Sequence, residues 1–551
     1  MGHFFFFLAA VAASLLWSAA FTAAAARCRP GWIRRILVAA AVVVPVLSLV
    51  PWVGLTAILA FGVRLEANWF APTLTAAISS LVGAVWIVWM GLSPRVVPVA
   101  AAWPVVALAA GFVLAKAVAF GTLLFIDNAV AAEGRMLRVE AAQMMAAALP
   151  PAPGPDDDAA PLYQRAFAAL AADKTLAAAE SPCTIPLTAD VATNEVSALL
   201  ERHAATLDLL RRAADRPGCR FERDWSRPSL DMLLPELQEM RQAARLLALA
   251  ARRAAAAGNG AQALADVVRI HRLGRHAASE PLLINGLVGQ AIDEIAIGAF
   301  ADVLPRLGNA DRALLEAEAV RDFVETPITY RRGFLGEEAF GLGTLADLAD
   351  GAEGITTLES LRSFSGEPPM RLLFDAPLSL LYRCFMLPAD IAGYRAVMRR
   401  YQAVVGSMTA PEREPFSAVQ RETAAIENEL ESRRAGVFAT MLAPSLAGVF
   451  GSQVRGEALH DVAGVLVAAT RARLAGASLA ESLVPEAVPA LPPDRFAPDQ
   501  SLRATRSDEG WLVYTVGPDG EDDGGPPVPG AGTPEGNDDC GLRLAFPATS
   551  D

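Results

Sequence analysis

Lysine is almost missing from this 551-residue chain: Lys116 and Lys174 are the only two, and histidine occurs five times. Chemistry that needs a lysine nucleophile therefore has a single candidate outside the apolar N-terminal part. There is no Cys-x-x-Cys, so zinc knuckles and thioredoxin-like redox chemistry have no support. Equally missing are a Gly-x-Ser-x-Gly elbow, a Gly-Lys-Ser/Thr phosphate loop and a dinucleotide glycine fingerprint. Strand-like alternation is almost absent before the last 70 or so residues. Acidic residues are scarce up to residue 127, where only Glu66 and Asp127 occur among seven basic ones. Nearly all of the 60 Asp and Glu thus follow, and an acidic remainder argues against a broad nucleic-acid-binding face.

What is present in that first stretch is apolar. Four runs, roughly Phe4 to Ala26, Ile36 to Val63, Trp69 to Leu92 and Val96 to Ile126, are each about long enough to cross a ~30 Å hydrocarbon core at 1.5 Å per residue. Pro45, Pro51, Pro72 and Pro104 would break soluble helices, whereas neighbouring helices in a membrane satisfy the freed carbonyls. The reading is a four-helix transmembrane region over 1–127, in contact with lipid; three spans are the alternative. Arg27, Arg29, Arg34 and Arg35 place the first loop in the cytoplasm, which puts the chain after Asp127 outside it. A cleaved signal peptide ending near Ala26 is the rival, weakened by the missing basic n-region. Lys116 alone is ionisable within the fourth run, which fits an anchor better than a transport path.

The expected fold class is all-α with a small C-terminal β module. Residues 128–160 read as a helical stalk ending at Leu149, followed by a Pro/Asp linker. Residues 161–475 read as a helical domain with helices near 161–173, 193–214, 231–257, 261–277, 282–305, 310–324, 389–407 and 411–435. The pair flanking Gly258-Asn259-Gly260 looks like a tetratricopeptide-type hairpin, and a stack of such pairs would offer a protein partner a concave face. Of the five cysteines, Cys28 falls on the cytoplasmic side; Cys183, Cys219, Cys384 and Cys540 permit three pairings or none.

His271 and His276 share a stretch with Arg269, Arg272 and Arg275; five residues apart they do not face each other, and a solvated helix face is expected. His203 and His460 read as isolated structural histidines. Glu337 and Glu338 are adjacent, so on a helix they point about 100° apart and cannot by themselves form a facing acid-base pair.

Residues 476–551 change character. Trp511 to Val516 and Gly541 to Phe546 are strand candidates, and between them Asp519, Glu521, Asp522, Asp523, Asp538 and Asp539 gather with no basic residue between Arg506 and Arg543. Hard carboxylate oxygens in a turn suit calcium. It is not an EF-hand, because Gly530 stands at the twelfth place. Leu483 to Phe496, Leu502-Arg503, Gly510 to Gly525 and Asp538-Asp539 together resemble the C-terminal part of type II secretion major pseudopilins. That resemblance implies a β module whose acidic loop binds calcium through the six carboxylates just named. No prepilin cleavage motif precedes a single helical spine here, which argues against assembly into a pilus. The layout as a whole is similar to bacterial multi-pass membrane proteins with a helical outer domain and this ending, which implies no activity. The functional expectation is an extracytoplasmic scaffold or interaction protein of the bacterial envelope, with a motif-less envelope hydrolase or a secretion-related component as alternatives.

Overall fold

A computed structural model describes residues 125–173, 193–228, 234–350, 386–409, 415–432, 447–477, 487–508, 510–526 and 537–546, with a few isolated positions besides. Apart from Ala25, Phe125 and Ile126, the four apolar runs of the N-terminal part lie outside the described residues; among those described, no helix is long and apolar enough to cross a membrane. The chain is mostly helical and closes with a three-stranded sheet. It divides into two compact units.

The smaller unit holds the first part of α1 (125–148), the end of α9 (Arg331–Ala349) and the start of α10 (Leu387–Thr409). Arg138 donates to Asp347 at 2.7 Å, and Arg383 pairs with Asp127 at 2.8 Å. Gly134 lies so close to Ala349 that a Cβ there would approach that side chain to 2.5 Å.

The larger unit carries the other helices: α2 (Ala160–Ala172), α3 (Asn194–Arg202), α4 (Ala204–Ala214), α5 (Glu236–Ala256), α6 (Gly260–Ala277), α7 (Leu283–Val303), α8 (Glu318–Glu325), α11 (Phe416–Glu431) and α12 (Ala447–Leu474). The expected hairpin is present. Gly258 at φ 76 ends α5 with the bonds Asn259 N–H to Ala254 O, 2.9 Å, and Gly258 N–H to Ala255 O, 3.0 Å, the pair that defines a Schellman ending. Asn259 then caps α6, its side chain accepting from Gln262 N–H at 3.1 Å. Three residues thus stop one helix and start the next, so α5 and α6 run antiparallel.

α6 packs against both α5 and α7, and α7 against α12. Glycine brings α6 and α7 together: a Cβ on Gly274 would meet Gly289 O at 2.8 Å, and one on Gly289 would meet Gly274 O at 2.6 Å. α9 and α12 are helices that the sequence periodicity did not predict. The glycines of α9 interrupt its pattern, yet Gly336 and Gly343 are where its backbone rests on the carbonyls of Pro281 and Pro228. α12 is buried around most of its circumference, which erases the one-sided stripe by which a surface helix is read.

Strands β1 (Arg503–Ser507), β2 (Gly510–Thr515) and β3 (Cys540–Ala545) form an antiparallel sheet in that order, with Arg503 opposite Tyr514 and Trp511 opposite Leu544. The sheet is no appendage. Trp511, Val513 and Leu544 belong to the same apolar core as Leu459, Val462 and Leu466 of α12 and Ile292 and Ala296 of α7. Trp511 Nε1 donates to Leu479 O at 2.8 Å. The fully buried Asp494 holds the module to the segment before it, accepting from Thr515 Oγ1 at 2.5 Å, Phe496 N–H at 3.0 Å, Val516 N–H at 3.1 Å and Arg503 at 3.2 Å.

Candidate functional site

The helix α6 does not present its histidines to solvent. Arg269 and Arg272 reach Asp215, and Arg275 reaches Asp322, so the arginines alone occupy the polar face. His271 and His276 are nevertheless buried, 1% and 7% exposed, which corrects the solvated-face expectation. The error has a simple origin: helical spacing puts His276 beside Arg272 and His271 beside Arg275, and only the docking of other segments, with Tyr163 and Arg216 over His276 and Phe323 and Asp293 over His271, removes the rings from water.

The two histidines go to different places. His276 Nε2 lies 3.1 Å from Arg216 O, which can only accept, so that nitrogen carries the proton, and Nδ1 accepts from Tyr163 Oη–H at 3.0 Å. Burial, with Arg275 and Arg272 nearby, lowers its pKa to about 4. His276 is therefore a satisfied neutral core histidine.

His271 converges with two residues from other helices. Its Nδ1 stands 2.7 Å from Asp293 Oδ1 on α7, while His460 Nε2 on α12 stands 2.6 Å from Asp293 Oδ2. His460 Nδ1 is 3.3 Å from Val324 O in α8. Asp293 is 2% exposed and His460 likewise 2%. The Phe323 ring meets both imidazoles edge-on, at 5.2 and 5.7 Å between centroids, and covers one side of the group. Burial opposes the charge on Asp293, yet the bonds from His271 and His460 hold its carboxyl below the ordinary carboxylate range. Burial likewise opposes a charge on His460, and Asp293 overcomes it, raising the imidazole above its usual value. Among the described residues this is the only place where three groups able to ligate a metal bring their atoms within 4.8 Å of one another.

His460 also lines a cavity of about 420 Å³ between α8, α12 and the segment over 488–495. Glu325, Glu457, Asp461 and Arg495 line the same cavity beside apolar groups such as Val488. Arg495 grips Asp461 through both oxygens and stands 3.6 Å from Glu457.

The remaining sequence-based candidates are placed as follows. Glu337 accepts from Leu283 N–H at the start of α7, and Glu338 accepts from Gln402, so the two adjacent carboxylates serve different neighbours. His203 pairs with Asp173 at 2.9 Å. Cys219 and Cys540 are buried free thiols, while Cys28, Cys183 and Cys384 lie outside the described residues.

In the acidic loop, Asp519 accepts from Glu521 N–H, and Asp522 accepts from Arg503, Tyr514 Oη–H and Gly524 N–H. Asp519, Glu521, Asp523 and Asp538 are exposed. Asp539 is buried: its Oδ2 accepts from Asp523 N–H at 3.0 Å and Gly525 N–H at 2.7 Å, and its Oδ1 has no partner. Burial and the neighbouring Asp522 and Asp523 raise its pKa. No three of these six carboxylates bring oxygens within 4.8 Å of one another. Asp539 Oδ1 is thus the one buried carboxylate oxygen among the loop's described residues that is left without a donor.

Sequence reasoning passed over Asp293 altogether. One signal was available: α7 is apolar on almost every side, and an aspartate in the middle of such a helix has to be paired within the core. No family model, curated protein or solved structure matches this chain.

Proposed function

We propose that this chain is a membrane-anchored, extracytoplasmic protein of the bacterial envelope whose helical unit acts by binding, as a scaffold for a partner. The single observation that carries the binding role is the cavity of about 420 Å³, concave, partly apolar and framed by Glu325, Glu457, Asp461 and Arg495. The apolar runs and arginine-rich first loop of the sequence support the anchor and its direction. Two measurements test the reading. Asp157 is exposed, so the Asp157→Cys variant is expected to react with an impermeant thiol reagent in intact cells; reaction only after lysis reverses the orientation. A photo-crosslinking residue placed at Val488 in native membranes is expected to trap a discrete adduct, reduced when Arg495 is changed to Glu; an unchanged pattern removes the cavity from the binding role.

A second reading is an envelope hydrolase, favoured by the convergence of His271, Asp293 and His460 beside that cavity. Hydrolysis of a panel of ester and peptide substrates that survives His460→Gln unchanged eliminates it. The acidic C-terminal loop adds a calcium proposal, supported by the buried and unpartnered Asp539 Oδ1. Because the sheet shares its core with α7 and α12, the full chain is the object to test. Calcium is expected to raise its melting temperature and Asp539→Asn to abolish the rise, whereas no shift at millimolar calcium leaves the loop an acidic turn.

A further inference from the structure

We propose that His271, Asp293 and His460 form a binding site for one divalent transition ion of the borderline class, zinc in the first place. Val324 O can only accept, so His460 Nδ1 carries a proton, and its other nitrogen is the one that faces Asp293 Oδ2 at 2.6 Å. A neutral imidazole would set lone pair against lone pair there. A cation must lie between them, either a proton shared by the ring and the carboxyl or a metal.

The surroundings favour the metal. Two imidazoles and a carboxylate, one from each of three helices, make a donor set typical of zinc and related ions in helical cores. The carbonyl behind His460 fixes its tautomer and orientation, as outer partners of ligating histidines do. Phe323 supplies a dry wall. The cavity along His460 sets Glu325, Glu457 and Asp461 against the single cation Arg495, which leaves its lining net negative and gives a metal ion a path in. With metal bonds of about 2.0–2.1 Å, tetrahedral ligands stand about 3.3 Å apart. The pairs at 2.6 and 2.7 Å therefore open by about 0.7 Å, a few tenths of an ångström for each side chain. The buried His271 Nε2 has no partner with or without the ion and does not discriminate. None of this depends on how the chain is anchored or on what enters the cavity.

The test uses the full-length protein in detergent, with no histidine tag, stripped by a chelator and titrated with Co²⁺. Visible ligand-field bands of low-coordinate Co²⁺ are expected at one ion per chain, bleached by Zn²⁺, with Zn²⁺ also raising the melting temperature. His460→Gln and Asp293→Asn are expected to weaken binding by more than about tenfold, a loss seen even for outer-shell changes. His203→Gln and Asp539→Asn, remote from the cluster, should keep the spectrum. Absence of the bands and of thermal stabilisation in the unaltered protein overturns the proposal without recourse to any variant. So does a spectrum that persists in both cluster variants, or one lost in the two remote controls.

Discussion

At the residue scale, the larger unit is held by carboxylates buried beside dedicated donors. Asp266 is fully buried on α6 and takes both branches of Arg211, at 2.9 and 2.7 Å, along with Gln262 at 2.9 Å. Replacing Asp266 by Ala removes the acceptor of these charged bonds while the part-exposed Arg211 turns to water, and a loss of about 1.5–3 kcal/mol is expected in chemical unfolding. His276 behaves in the opposite sense, being kept neutral. Its folded pKa of about 4 lies below the ordinary imidazole value near 6.5, so the unfolded chain takes up the proton first as pH falls. The stability it contributes is complete above about pH 6.5 and is lost as pH drops from there toward 4. On the order of 3 kcal/mol is at stake. An NMR titration should find its ring neutral down to about pH 4; protonation near 6.5 would refute the placement.

At the scale of elements, close packing depends on glycine where α6 crosses α7. Gly289→Val forces a side chain against Gly274 O and Ala278, and a destabilisation of about 1–3 kcal/mol or more is expected, read as a lower melting temperature. The α5–α6 turn was legible because its chemistry is local: Gly258 and Asn259 act within a few residues of themselves. The histidine cluster was not, because His271, Asp293 and His460 are brought together only by the docking of α6, α7 and α12, and separations of 22 and 167 residues leave no motif. α12 escaped for a related reason, its burial on nearly all sides leaving no periodic stripe. Two of the three C-terminal strands were readable, from Trp511 to Val516 and from Gly541 to Phe546, because short apolar runs stand out between turn residues, whereas the polar β1 and Asp494, which fastens the sheet, carry no signal apart from the fold.

At the scale of the whole molecule, the mostly helical character and the terminal sheet could be read from composition and periodicity, and the apolar N-terminal runs belong to that same reading. How the larger unit closes could not be, since residues on α7 and α12 acquire their apolar neighbours from strands far along the chain. Asp494→Ala should loosen that closure, removing the acceptor of four bonds, and increased protease sensitivity across both the sheet and α12 is expected. Cleavage confined to the strands would mean that the helices hold without them.

The shared core has a bearing on biogenesis. Val513 and Leu544 leave the ribosome after Ile292 and Leu466, with which they share one core. During synthesis the hairpins can form early, but the interior remains open until the final strand has emerged, and a message cut short before residue 540 yields a chain with greasy helix faces left bare. Such a fragment is a substrate for chaperones and proteases, so nonsense alleles that stop the chain before β3 should behave as complete losses.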